Sequence, residues 1–98
     1  MTNTTERVEK LKSGIVARVR RSDSFDVISF EASSQPWAIL LGGLLGRDDF
    51  HSLLAKAGGS ITYGIDTQGY CIPTSHVDNF LIQVNELIEK HFPKKNKQ

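Results

Sequence analysis

The chain has 98 residues, which allows one domain with a small core. Hydrophobic residues make up 39% of it and charged residues 23%, and this composition is too apolar for intrinsic disorder. Twelve Lys and Arg residues against eleven Asp and Glu residues leave a formal charge of +1, so net charge gives no support for a nucleic-acid or membrane partner.

Cysteine content and the length of apolar runs predict the cellular location of the protein. Cys71 is the lone cysteine, so an intramolecular disulfide is excluded. Residues 1–6 contain neither a basic nor an apolar region and therefore predict no secretory signal. The longest apolar run, residues 37–46, is far shorter than the ~20 residues that a membrane-spanning helix needs. We expect a cytoplasmic protein without a membrane segment.

The N-terminal segment predicts a short first helix. Thr4 or Thr5 can cap it, and acidic residues precede lysines in the order that the helix dipole favours. Val8 and Leu11 lie three residues apart and would share one helix face. Gly14 suits a left-handed conformation that ends the helix.

Two alternating segments, 15–21 and 25–32, predict a β-hairpin. A one-residue slip would place Ser29 and Glu31 on the buried face, so one register is favoured. This register pairs Val19 with Ile28, Ala17 with Phe30, and Arg21 with Asp26.

The central segment predicts helical structure that is interrupted by glycines. Ser34 can cap a helix and Pro36 fits its first turn. Gly42-Gly43 would weaken this helix and favours a kink or break at that point. Asp48 or Asp49 can cap a second helix, which Gly58-Gly59 ends.

The C-terminal part predicts a second hairpin and a final amphipathic helix. Residues 60–65 alternate, and a turn at residues 66–69 would place Cys71 opposite Ile65 on the apolar face. Ser75 and Asp78 favour a helix start, and Pro93 ends the helix. Its apolar stripe comprises Val77, Phe80, Leu81, Val84, Leu87, Ile88 and Phe92.

These elements have the order α-β-β-α(α)-β-β-α and predict an α+β fold. The two hairpins would join into one four-stranded antiparallel sheet with the helices on one face. We expect a single domain over residues 1–93, followed by a basic flexible tail over residues 94–98.

The central apolar segment is the predicted partner-binding site. It is apolar on all sides, and Ala38, Gly42 and Gly46 would form a strip that lets two backbones approach closely. The alternative is a tightly packed central helix lying on its own sheet. The predicted contact residues are Trp37, Leu40, Leu41, Gly42, Leu44, Leu45 and Gly46.

The alternative hypothesis is association with nucleic acid through two groups of cationic residues, the arginines of the first hairpin and the lysines of the C-terminal tail. Acidic neighbours would neutralise part of the arginine group, and no run of aromatic residues accompanies it as a stacking platform would require. The residues of this alternative are Arg18, Arg20, Arg21, Lys94, Lys95 and Lys97.

No residue pattern predicts catalysis, a metal site or a cofactor. His51, Cys71 and His76 do not form the two close ligand pairs of a structural zinc site. A cysteine on an apolar face is also a poor nucleophile. The sequence therefore predicts a non-catalytic protein-binding module of the adaptor, immunity or inhibitor type, which also forms a homodimer.

Overall fold

The computed structural model describes residues 6–22, 24–63 and 68–92, and within them the fold is α+β. Five strands form one antiparallel sheet in the order β1-β2-β3-β5-β4, which corrects the predicted four-stranded sheet. The strands are β1 (Glu6–Lys10), β2 (Ile15–Ser22), β3 (Phe25–Ala32), β4 (Ser60–Tyr63) and β5 (Gln68–Pro73). The helices are α1 (Gln35–Leu45), α2 (Asp48–Lys56) and α3 (Val77–His91), and short 3₁₀ turns cover Lys12–Gly14 and Thr74–His76.

The predicted first helix is wrong, because its residues form β1 and a tight turn. The turn folds β1 back onto β2, and Gly14 allows this with a φ of 71°. Val8 and Leu11 were too few apolar positions to hold a helix against the core. As a strand, β1 instead satisfies the main-chain groups along the edge of β2. The proposed caps Thr4 and Thr5 lie outside the described residues.

The β2–β3 hairpin has the predicted register. Val19 lies opposite Ile28 and Ala17 opposite Phe30, while Arg21 lies opposite Asp26. Burial of one face of both strands is therefore sufficient to select this pairing.

The second hairpin is shifted from its predicted register. Cys71 lies opposite Ser60 rather than Ile65, and Ile61 lies opposite Tyr70. The side chains of Tyr70 and Ile72 enter the core, so Cys71 is on the other face of the sheet and is half-buried. Gln68 and Gly69 of the proposed turn instead belong to β5. Residues 64–67, which include Ile65, lie outside the described residues.

The helices cover one face of the sheet, as predicted. Alternate residues of β2, β3 and β5 join one core with side chains from all three helices. Phe50 of α2 is central, since its ring makes edge contacts with Phe80 and Tyr70. The predicted stripe of α3 is buried except for the half-buried Leu87.

The boundary between α1 and α2 lies later than the glycine pair suggested. Helix α1 continues through Gly42-Gly43 to Leu45, and Gly46 is its C-cap. Helix α2 ends at Lys56, and the predicted stop Gly58 follows the C-cap Ala57 with a φ of 74°. The Gly58 N–H donates to the Ala55 carbonyl and the Gly59 N–H to the Leu54 carbonyl, which is the Schellman pattern of a helix terminus.

A buried carboxylate connects the sheet to the turn that precedes α3. Oδ1 of Asp26 accepts hydrogen bonds from Thr74 Oγ1 at 2.8 Å and from Arg21 Nε at 3.0 Å. The Thr74 N–H donates to the Ser24 carbonyl at 3.1 Å. These contacts fix where α3 begins. None of the described helices is both long enough and apolar enough to span a bilayer.

Candidate functional site

The inner side of α1 belongs to the core of the domain. Leu41 and Leu44 are buried, and Leu40 and Leu45 are partly buried against the same cluster. Trp37 is also half-buried, and its ring stacks on Phe92 with centroids 5.6 Å apart and planes 10° from parallel. This side of the helix holds α1 on the domain.

The opposite side of α1 is exposed and almost free of polar side chains. Ile39 is its one large side chain and is 68% exposed. A Cβ atom added at Gly42 or Gly43 would meet nothing within 4 Å, so no other element of the described chain covers these glycines. We call this surface the outer α1 face, and it comprises Gln35, Ala38, Ile39, Gly42, Gly43 and Gly46.

The outer α1 face divides the residues that the sequence predicts as contacts. Gly42 and Gly46 lie on it, whereas Leu41 and Leu44 point into the core. Ile39 is missing from the predicted contact residues, although it is the most exposed large hydrophobic residue described. The helical period could have separated Ile39 from the buried leucines. Around the helix axis, Ile39 lies about 160° from Leu41 and about 140° from Leu44.

The arginines of the nucleic-acid alternative do not form one patch. Arg18 and Arg20 lie on the outer face of the sheet, but Arg21 lies on the helix-covered face beside Asp26. Arg18 Nε is 2.7 Å from Glu31 Oε2, and this hydrogen bond raises the pKa of the guanidinium. Lys94, Lys95 and Lys97 lie outside the described residues. The alternative stays a prediction.

The residues considered for catalysis or metal binding are dispersed. Cys71 lies within the sheet, and Nδ1 of His76 lies 3.0 Å from the Ala57 carbonyl oxygen. His51 is exposed beside the Phe50 ring. Within residues 6–22, 24–63 and 68–92, no three His, Cys, Asp or Glu side chains form a group that could hold a metal ion.

A shallow groove follows the contact between α2 and α3. It contains two adjoining cavities of about 210 and 290 Å³, which share Leu53, Lys56 and Gln83. Near one end, Nε2 of His91 lies 2.9 Å from Oδ2 of Asp49. This hydrogen bond, followed by the charge of Arg47, lowers the pKa of Asp49. The groove mixes both charge signs and converges on no single ligand chemistry.

A third cavity, of about 290 Å³, lies between β1 and α3. Its walls include Leu11 and Leu81, with carboxylates from Glu9 and Asp78. Arg7 of β1 binds Asp78, which lines this cavity, at 2.7 Å. Edge strand β1 is thus connected to α3 by an exposed ion pair.

Comparison with known proteins identifies no relative of this chain: no family model matches it, and neither a curated protein nor a solved structure is similar to it.

Proposed function

We propose that this protein is a non-catalytic binding module that docks an apolar helix of another protein on its outer α1 face. The observation that carries this proposal is the exposure of Ile39 beside Gly42 and Gly43 on a helix that its own domain covers on one side only. An exposed apolar helix face is typical of an interaction surface.

The shape of the outer α1 face suits a helical partner. Ala38, Gly42 and Gly46 recur every fourth residue, so they line one strip of the helix without a projecting side chain. A second helix can approach such a strip closely, and Ile39 beside it can then fit between the partner's side chains. Helix α1 has no charged residue, so a helix bound there would bury no charged side chain of α1.

The biological role that fits this surface is recruitment or occlusion of the partner protein, as in adaptors, immunity proteins and inhibitors. A rigid docking face is sufficient for that role and needs no reactive group. The absence of catalytic activity stays a prediction, as does a cytoplasmic location.

The proposal is tested by capture of proteins from a lysate of the source cells, followed by mass spectrometry. The bait is the wild-type chain, Ile39→Asp or Gly42→Leu. Both substitutions are at exposed positions, and the Gly42 site has room for a side chain within the monomer. We expect at least one protein to be captured by the wild type and lost with both variants.

Ile82→Asp is the matched control, because Ile82 is similarly exposed but belongs to α3. It introduces the same charge and should leave the capture unchanged. Equal capture by the wild type and Ile39→Asp would contradict the proposal, and so would equal loss with Ile39→Asp and Ile82→Asp.

A further inference from the structure

The edge strand β1 has a sequence that is complementary to itself. Strand β1 reads Glu6-Arg7-Val8-Glu9-Lys10, and among the described strands it pairs with β2 alone. If a second β1 lies antiparallel with Val8 opposite Val8, then Glu6 faces Lys10 and Arg7 faces Glu9. The other two pairs follow by symmetry, so every charged residue meets one of opposite sign.

From this self-complementarity we infer that two copies of this chain associate through their β1 strands. The two five-stranded sheets become one continuous sheet of ten strands across a two-fold axis at Val8. The inference is independent of the proposed function, because β1 and the outer α1 face are different surfaces. Self-association through residues 37–46 remains a separate prediction.

The main chain of β1 presents the groups that this pairing requires. The Leu11 N–H donates to the Ile15 carbonyl at 2.7 Å, so Leu11 and Ile15 form a hydrogen-bonded pair. Such pairs alternate along an antiparallel ladder, so the N–H and C=O groups of Glu6, Val8 and Lys10 point away from β2. In the antiparallel arrangement these three residues meet in hydrogen-bonded pairs, which gives about six main-chain hydrogen bonds.

Exposed apolar side chains flank this edge on both sides of the sheet. Val8 is 50% exposed on the outer face, and Ile82 is 58% exposed where α3 lines the cavity beside Glu9 and Leu11. The two-fold axis is perpendicular to the sheet, so the α3 helices of both copies lie on the same side. The dimer would therefore cover Val8 directly and bring the two Ile82 side chains towards each other.

Charges on β1 also select the direction and register of the pairing. A parallel, in-register pair would place Glu6 against Glu6 and Lys10 against Lys10, which is unfavourable. Within the monomer Arg7 already pairs with Asp78, and Glu6 lies 3.9 Å from Arg18. An apolar or foreign strand would still not match the charge order of β1, and charged edge strands resist unspecific pairing. The second copy is the occupant whose charges match at every position.

The first test measures the molar mass by sedimentation velocity from about 1 to 500 µM, since an interface of one short strand gives a weak dimer. The wild type should change from monomer to dimer in this range. Lys10→Glu places like charges against Glu6 at two sites and should raise the dissociation constant at least about tenfold. Lys56→Glu, which makes the same charge change on α2, should have no effect.

Charge exchange provides a rescue that a purely structural effect would not give. Glu6→Lys should also be monomeric, since it places two lysines opposite each other. An equimolar mixture of Lys10→Glu and Glu6→Lys has opposite charges at every pair, so native mass spectrometry should detect the heterodimer. The double variant Glu6→Lys/Lys10→Glu should regain the homodimer.

Val8→Pro tests the main-chain hydrogen bonds directly. The Val8 N–H points away from β2, so proline is compatible with the monomer but removes the central donor of the dimer. Circular dichroism at low concentration should show a folded chain, and sedimentation should show a monomer. A wild type that stays monomeric at every concentration would overturn the inference. A dimer that survives both Lys10→Glu and Val8→Pro would overturn it as well.

Discussion

Helices α1 and α3 lie on the same sheet and contribute to the same core, but their solvent-facing sides expose different types of residue. Helix α3 buries one apolar stripe and exposes mostly polar residues, among them Asn79, Glu86 and Lys90. Helix α1 buries Leu41 and Leu44 and exposes Ile39, Gly42 and Gly43. A helix that only supports a small core needs a single apolar stripe, and the second apolar side of α1 is the basis of the docking proposed above.

The largest expected effect comes from the buried stripe of α3. Phe80 is 1% exposed and packs against Phe50, so Phe80→Ala should lower the free energy of unfolding by about 4 kcal/mol. Ile82→Ala, two residues along on the exposed side, should change it by less than about 0.5 kcal/mol. Urea unfolding at low protein concentration measures both. Similar losses of unfolding free energy in the two variants would contradict the burial of Phe80 and the exposure of Ile82.

The same contrast is expected within α1 and is somewhat smaller. Leu44→Ala removes a buried side chain and should cost about 3 kcal/mol, whereas Ile39→Ala should cost less than about 0.5 kcal/mol. The two residues lie on opposite sides of one helix, so each serves as the control for the other in urea unfolding. A large loss with Ile39→Ala would show that the outer α1 face supports the monomer itself.

Replacing a glycine on the outer α1 face should stabilise the monomer. The Gly42 site is helical and open, so Gly42→Ala should raise the free energy of unfolding by about 0.5–1 kcal/mol. Gly14→Ala is the opposite control, because Gly14 has a positive φ and its Cβ would collide with Ser33 Oγ. Thermal unfolding compares the two. A destabilising Gly42→Ala would contradict the open geometry of this site.

The smallest expected effect is the pH dependence of the contact between α2 and α3. The hydrogen bond from His91 lowers the pKa of Asp49 below its usual value of 3.8. A carboxyl whose pKa is lowered by folding stabilises the protein above its unfolded-state pKa, and this contribution is lost as the pH falls through the folded-state pKa. Asp49→Asn should therefore lower the urea midpoint slightly at pH 6, and the difference should vanish once the pH lies below the folded-state pKa of Asp49. A difference that grows at acidic pH would refute this sign.

Much of the fold was predictable from local patterns. The β2–β3 register and the stripe of α3 followed from residue spacing, because each element buries one face. The end of α2 followed from Gly58-Gly59, which suits the left-handed turn observed there. For the candidate site, the sequence located the apolar helix and its small residues, but it did not separate the exposed Ile39 from the buried Leu41.

The wrong predictions concern segments whose local sequence pattern does not select one structure. The residues of β1 carry charges in the order that a helix dipole favours, but they pair with the edge of β2 and so belong to the sheet. Similarly, the position of Cys71 depended on a turn whose length the sequence does not specify, so a shifted register moved it to the other face.

The sequence by itself determined the α+β class, the main hairpin and the apolar surplus of α1, because these depend on periodicity and composition. Only the tertiary structure decided that β1 is a strand, which side of α1 stays uncovered and which backbone groups remain at the sheet edge. Those outcomes depend on which apolar faces and strand edges are buried when the whole chain folds. The contacts that decide this join residues far apart along the chain.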